Sequence, residues 1–216
     1  MPTTPEARRP LKSRDLAIFK NIASALARAG VSPNAISFTS IVFGLAAGGC
    51  FALTAHAEEL ALRGWWLAAA AFIQLRLIAN LLDGMVAVEG KRGGPTGDLW
   101  NEAPDRLADT AIFIGAGFAA GSDPLLGMGA ALLAVFVAYL RALGASNGAG
   151  QIFIGPMAKP HRMFVTTVFS VASALFPALA GFSGMKLLLA LVIVGCIVTA
   201  IRRLSRIAAS LRSKSA

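Results

Sequence analysis

The feature that most constrains the fold is a series of long apolar segments in which charged residues are rare. Residues 35–55 carry no charge at all, and about 20 apolar residues in a helix cross the core of a bilayer. The chain is 56% hydrophobic, above the usual share in soluble domains. Comparable apolar segments follow at about 64–82, 101–121, 125–143, 164–179 and 187–201. The sequence therefore predicts an all-α polytopic membrane protein with six transmembrane helices.

The basic residues fix the orientation of these six segments. The chain has a net charge of +9, and most of its Lys and Arg lie in the N-terminal arm, the loop after residue 89, the loop around Lys159 and the C-terminal tail. The connections on the other side hold only Arg63 and Lys186. Six spans place the basic segments on one side, which the positive-inside rule assigns to the cytoplasm. No aromatic residues alternate with the basic ones as nucleic-acid binding would require, so we expect no nucleic-acid partner.

Three regions follow from these patterns. Residues 1–30 form an N-terminal arm that ends in a basic amphipathic helix, which we expect to lie in the membrane interface. Residues 31–204 form the six-helix transmembrane domain, and residues 205–216 form a basic cytoplasmic tail. Cys50 and Cys196 lie in apolar segments and indicate buried free thiols, with no disulfide framework.

A polar stretch interrupts the apolar pattern between the second and third spans. Asn80 and Asp83 are three residues apart, and Asn101 and Asp105 are four apart, so each pair shares one face of a helix. Between the two pairs lies a loop rich in Gly and Pro. Carboxylate and amide oxygens that converge from two helices suit a hard divalent cation such as Mg²⁺ or Mn²⁺. Charged residues inside spans are costly and indicate a functional site.

This stretch resembles the signature of the CDP-alcohol phosphatidyltransferases, D-x-x-D-G-x-x-A-R, about eight residues, then G-x-x-x-D-x-x-x-D. The matching positions are Asp83, Gly84, Ala87, Gly97 and Asp105. Three positions depart from the pattern, with Asn80 and Asn101 at the first and third Asp and Val88 at the Arg. The chain is similar in this to a branch of the family that carries both Asn residues and a Glu after the second, as in Asn101-Glu102. The two swaps remove two negative charges, which lowers the affinity for metal and allows a one-metal site in place of a two-metal site.

The resemblance implies transfer of a phosphatidyl group from CDP-diacylglycerol, or a similar CDP-linked lipid, to an alcohol, with release of CMP. It implies Mg²⁺ or Mn²⁺ as the cofactor, held by Asn80, Asp83, Asn101 and Asp105. It makes Asp105 the base that takes the proton of the acceptor hydroxyl. The implied substrate-binding residues are Asn34, Ser37, Gly84, Ala87, Gly97, Arg141, Lys159 and Arg162. The resemblance implies a homodimer as well. The composition, rich in Ala, Gly and Arg, favours a bacterial inner membrane, and the basic residues place the active site on the cytoplasmic side.

Several alternatives stay open at this point. Asp83 and Asp105 could instead form structural ion pairs with Arg76 and Arg141, and Asp109 could support the site or pair with Arg106. The three departures from the signature also allow a protein that binds a CDP-lipid or a headgroup without turnover. A small transporter would need repeated halves or broken helices, and the sequence shows neither. The acceptor could be glycerol 3-phosphate, an inositol phosphate, serine or the headgroup of another phospholipid.

Overall fold

A computed structural model describes residues 16–90, 97–178 and 183–215, without the side chains of Asp98, Asn101 and Ser215. This part of the chain is helical and contains no β-strand. A short 3₁₀ turn follows the second helix at Thr54–His56. The α-helices of the described residues are α1 (Ala17–Arg28), α2 (Pro33–Leu53), α3 (Glu59–Glu89), α4 (Gly97–Gly117), α5 (Pro124–Ser146), α6 (Lys159–Leu175) and α7 (Gly184–Ser215).

Helices α2 to α7 pack as a closed ring. Around the ring the order of neighbours is α3, α2, α4, α5, α7 and α6, and α6 returns to α3. Short connections make successive helices run in opposite directions. The last turns of α3 and α5 therefore meet the first turns of α4 and α6 at one end of the bundle. Helix α1 packs on α3 through a small apolar cluster that includes Ala23, Ala79 and Val86.

Four helices of the described residues are the candidates for membrane spans. Pro33–His56, Glu59–Glu89, Pro124–Ser146 and Gly184–Lys214 are long and apolar enough to cross a bilayer, which indicates an integral membrane protein. Helices α4 and α6 do not meet the same criterion within the described residues. The first carries five charged residues in its first 13 positions, and the second is only 17 residues long. The predicted total of six spans thus stays a prediction for these two helices.

Close backbone contact between α2 and α4 sets the rotation of α4. A Cβ added at Gly44 would lie 2.7 Å from Cα and Cβ of Ala108, and one added at Gly48 would meet the carbonyl oxygen of Ala111. Small residues allow such contact between helices in membranes. The face of α4 that bears Ala108 and Ala111 is thereby held against α2, and Asp105 and Asp109 are left to meet α3 and α6.

Because of this contact, we expect the same substitution at two adjacent glycines to affect stability differently. We expect Gly48→Ala to lower the melting temperature of the detergent-solubilised protein, because the new methyl group separates α2 from α4 at a cost of about 1–3 kcal/mol. Gly49 is the matched control, since a Cβ there meets no atom within 4 Å, and Gly49→Ala should leave stability equal or slightly higher. Equal destabilisation by both substitutions would contradict the packing argument.

Both ends of the described chain differ in extent from the sequence-based bounds. The sequence predicts a helix at the end of the arm of residues 1–30, and its described part is Ala17–Arg28, which ends shortly before Gly30, where φ is +78°. Residues 1–15 lie outside the described residues. The predicted sixth span ends at Ile201, whereas α7 continues as one helix to Ser215. Ala, Leu and Arg favour helix, and neither Gly nor Pro follows Gly195.

Candidate active site

The carboxylate of Asp105 lies at the centre of a polar cluster where α3, α4 and α6 meet. Lys159 Nζ, on the first residue of α6, donates to Oδ2 at 2.5 Å, and Arg76 Nη2 donates to Oδ1 at 3.0 Å. The side-chain amide of Asn80 also donates to Oδ1. Asp105 is buried. Both of its carboxylate oxygens are held by charged or amide donors from two other helices.

A second layer of charge lies one helical turn deeper on α4. Asp109 is 1% exposed and accepts from Arg76 Nη2 at 2.6 Å and from Arg162 Nη2 at 2.9 Å. Arg162 also donates to the backbone carbonyl of Met157 at 2.9 Å. The Arg76–Asp109–Arg162 triad therefore joins α3, α4 and α6 beneath Asp105. Of the two readings of Asp109 that the sequence left open, the support role agrees with this geometry, and no ion pair joins Asp109 to Arg106 in the described residues.

Asp83 has a different environment from Asp105. Its Oδ2 accepts from the Ser37 hydroxyl at 2.7 Å, and its Oδ1 accepts from the backbone N–H of Gly84 at 2.6 Å. The residue is 4% exposed. Within the described part of the chain no Lys, Arg or His forms an ion pair with it. Asp83 is thus a buried carboxylate held by neutral donors.

A third group of contacts closes the cluster toward the loop between α5 and α6. Arg141 Nη2 donates to Glu102 at 2.5 Å and Nη1 donates to Gln151 at 2.7 Å, while its guanidinium lies 5.5 Å from the centre of the Phe153 ring. Glu102 also accepts from Arg106 at 3.1 Å. The sequence allowed Arg141 to pair with Asp83 or Asp105; its carboxylate partner is Glu102.

The remaining predicted residues lie around this cluster. Ser37 is buried on Asp83, Asn34 is exposed at the start of α2, and Ala87 is half-buried on α3. A Cβ at Gly84 or Gly97 would meet no described atom within 4 Å, so the space beside both glycines is open. The side chain of Asn101 and the loop residues 91–96 lie outside the described residues. The structure therefore brings together Asn80, Asp83, Asp105, Lys159 and Arg162. Arg141 is connected to Asp105 through Glu102 and Arg106.

Sequence reasoning named Arg76 as a possible ion-pair partner of Asp83 or Asp105 without placing it among the site residues, and the structure pairs it with Asp105. Sequence reasoning assigned no contact to Glu102. The signal for Arg76 was present, because an arginine inside an apolar span needs a buried partner. Its partners are 29 and 33 residues away on another helix, so no periodic pattern pointed to them. Glu102 follows Asn101 directly, and spacing alone could not show that it faces Arg141.

The oxygen atoms of this cluster can be compared with the ligands that a divalent cation requires. Asp83 is buried and forms no ion pair within the part of the chain that the structure describes, and Asn80 lies on the same face one turn earlier. These residues therefore fit one such ion. Asp105 does not present a free oxygen, since Lys159, Arg76 and Asn80 occupy both. No group of three His, Cys, Asp or Glu side chains forms a ready metal site among the described residues. The four-residue ligand set of Asn80, Asp83, Asn101 and Asp105 stays a prediction.

The helices of this chain share the fold of solved phosphatidylinositol phosphate synthases, which are members of the CDP-alcohol phosphatidyltransferase family. The similar structures include a crystal structure of the phosphatidylinositol phosphate synthase PgsA1 of Mycobacterium tuberculosis with CDP-DAG bound, with a TM-score of 0.71 and 21% identity over 89% of this chain and 94% of that chain. The apo form of PgsA1 matches with a TM-score of 0.67 and 21% identity over 87% and 94%. No protein-family model and no curated protein matches the chain. The resemblance to the family is thus confirmed at the level of the fold.

Proposed function

We propose that the protein is an integral-membrane CDP-alcohol phosphatidyltransferase. It moves a phosphatidyl group from CDP-diacylglycerol, or a related CDP-lipid, to an alcohol and releases CMP. The observation that carries this proposal is the buried cluster of Asp83, Asp105, Arg76, Lys159 and Arg162 at one end of the helix ring. Charged groups at this depth are costly unless they serve a purpose. A fold shared with a CDP-DAG-bound synthase supports the choice of donor.

Asp105 and Lys159 act together in the proposed reaction. The acceptor hydroxyl oxygen attacks the phosphorus that carries the lipid, the bond from that phosphorus to the bridging oxygen breaks, and CMP leaves with that oxygen. Asp105 takes the hydroxyl proton. The Lys159 side chain is 26% exposed and long, so it can leave Oδ2 for a phosphate oxygen when substrate binds. That movement frees Oδ2 for the proton and places positive charge where negative charge develops.

The other residues position the donor and the acceptor. Asp83 with Asn80 would hold a divalent cation, Mg²⁺ or Mn²⁺, whose charge neutralises the pyrophosphate. The open space beside Gly84 and Gly97 lets the nucleotide lie against α3 and α4. Arg141 provides a basic group for phosphate oxygens, with Ser37 and Asn34 at the start of α2. Arg162 is 1% exposed and held by Asp109 and the Met157 carbonyl, so it supports the site from beneath, and the substrate contact that the sequence predicts for it stays a prediction. A cytoplasmic site in a bacterial inner membrane and a homodimer stay predictions.

The experiment that tests the function is CMP release by the purified protein in mixed micelles. CDP-diacylglycerol is supplied with Mg²⁺ or Mn²⁺ and with a panel of acceptors that includes glycerol 3-phosphate, an inositol phosphate and serine. We expect release with at least one acceptor and none in the presence of a chelator. Release that continues unchanged with the chelator would contradict the metal requirement.

A second candidate is a protein that holds a CDP-lipid without turnover. The observation that favours it is the full occupation of Asp105 by cations and an amide, which leaves no free oxygen for a proton unless Lys159 moves. This protein would be stabilised against heat by CDP and would release no CMP with any acceptor. Turnover with any acceptor excludes it.

A further inference from the structure

The two carboxylates that face the proposed donor site are neutralised in different ways. Asp105 has a cation of this chain on each oxygen, with Lys159 on Oδ2 and Arg76 on Oδ1. Among the described residues, Asp83 has only the Ser37 hydroxyl and a backbone N–H as hydrogen-bond donors. A divalent ion could reach Asp105 only by displacing an ammonium or a guanidinium group, whereas at Asp83 no cation of the described residues forms a competing ion pair.

We infer that Lys159 and Arg76 supply at Asp105 the positive charge that a second divalent cation would otherwise supply, so that the resting site takes one divalent cation, at Asp83. This inference rests on the proposed function, in which the site receives a pyrophosphate. It explains how a site with Asn80 and Asn101 in place of two carboxylates still offers positive charge to a pyrophosphate. The side chains of Lys159 and Arg76 replace the metal ion that those carboxylates would have held.

The balance of charge in the cluster supports a single ion. Among the described residues, three buried carboxylates, Asp83, Asp105 and Asp109, lie with three cationic side chains, Arg76, Lys159 and Arg162. Arg106, 3.5 Å from Asp105, has its own carboxylate partner in Glu102 at 3.1 Å. The cluster is therefore close to neutral before any metal binds. Each divalent ion adds charge that the protein does not compensate, and burial makes uncompensated charge costly.

The position of Lys159 in its helix also favours an anionic partner. It is the first residue of α6, where the helix dipole disfavours a cation. The Asp105 carboxylate at 2.5 Å offsets that cost. Arg76 is fully buried, and its Nε and Nη1 have no hydrogen-bond partner among the described residues, so Asp105 and Asp109 are its only anionic contacts there.

The test counts bound Mn²⁺ by electron paramagnetic resonance on the full chain in detergent, without nucleotide. We expect one Mn²⁺ per chain in the wild type, none in Asp83→Asn and one in Asp105→Asn. Lys159→Met should bind a second Mn²⁺, because Oδ2 of Asp105 then loses its 2.5 Å ammonium contact and keeps only Arg106 Nη2, at 3.5 Å, among the described residues. Lys159→Arg keeps the charge and serves as the matched control, with one. Size-exclusion profiles and melting curves establish that each variant is folded.

Several outcomes would overturn the inference. Two Mn²⁺ or none in the wild type would do so, as would loss of the ion in Asp105→Asn or an unchanged count in a folded Lys159→Met variant. CMP release is measured on the same wild-type preparation. One bound Mn²⁺ without CMP release would remove the proposed function and leave the ion count standing. Release with two bound Mn²⁺ would remove the inference and leave the function.

Discussion

We expect Asp105→Asn to reduce CMP release from CDP-diacylglycerol by roughly 10²–10⁴-fold, the range that general-base catalysis contributes. The amide keeps the size of the side chain and one acceptor oxygen, but it cannot take the acceptor's proton. It also removes the anion that holds Lys159 Nζ at 2.5 Å and Arg76 Nη2 at 3.0 Å. The loss should therefore appear in kcat under saturating donor and acceptor.

The control for this substitution is an exposed carboxylate that undergoes the same chemical change. Glu58 precedes α3, makes no side-chain cap hydrogen bond and is exposed, at the end of that helix away from Asp105. Glu58→Gln should release CMP at the wild-type rate. A rate for Asp105→Asn within about tenfold of the wild type would remove Asp105 from the role of base. A raised KM with unchanged kcat would assign it to substrate binding instead.

The parts of the site that the sequence predicts are those that lie close together in the chain. Asn80 and Asp83 share a face because they are three residues apart on one helix, and Asp105 and Asp109 repeat this with a spacing of four. The helical spans follow from apolar length. These inferences depend only on helical geometry and on the bilayer, so they need no knowledge of how the helices pack.

The contacts between helices could not be read in the same way. Lys159 and Asp105 are 54 residues apart, and their pairing depends on how far α4 is rotated toward α6. That rotation is set where the backbones of α2 and α4 meet, at Gly44 and Gly48. The GxxxG spacing indicates close packing but not which helix is the partner. The assignment of Arg141 to Glu102 depends on the same tertiary information.

Asp109 carries the largest expected effect on stability. We expect Asp109→Asn to lower the free energy of unfolding by about 3–5 kcal/mol, since it leaves the guanidinium groups of Arg76 and Arg162 buried without their shared anion. Both arginines are at most 1% exposed, so water cannot replace the lost partner. The measurement is the melting temperature in detergent, where we expect a fall of roughly 10 °C.

Glu102→Gln tests whether burial of the ion pairs is the reason for the loss of stability expected in Asp109→Asn. Glu102 also bridges two arginines, Arg106 and Arg141, but its side chain is 39% exposed. The same change from carboxylate to amide should there cost only about 0–1 kcal/mol, because solvent screens the pair. Equal shifts in the two variants would mean that the Arg76–Asp109–Arg162 triad is as well solvated as a surface pair. A large shift confined to Asp109→Asn would show that the triad holds α3, α4 and α6 together beneath Asp105. It would also explain why a costly buried charge is kept directly below the proposed catalytic carboxylate.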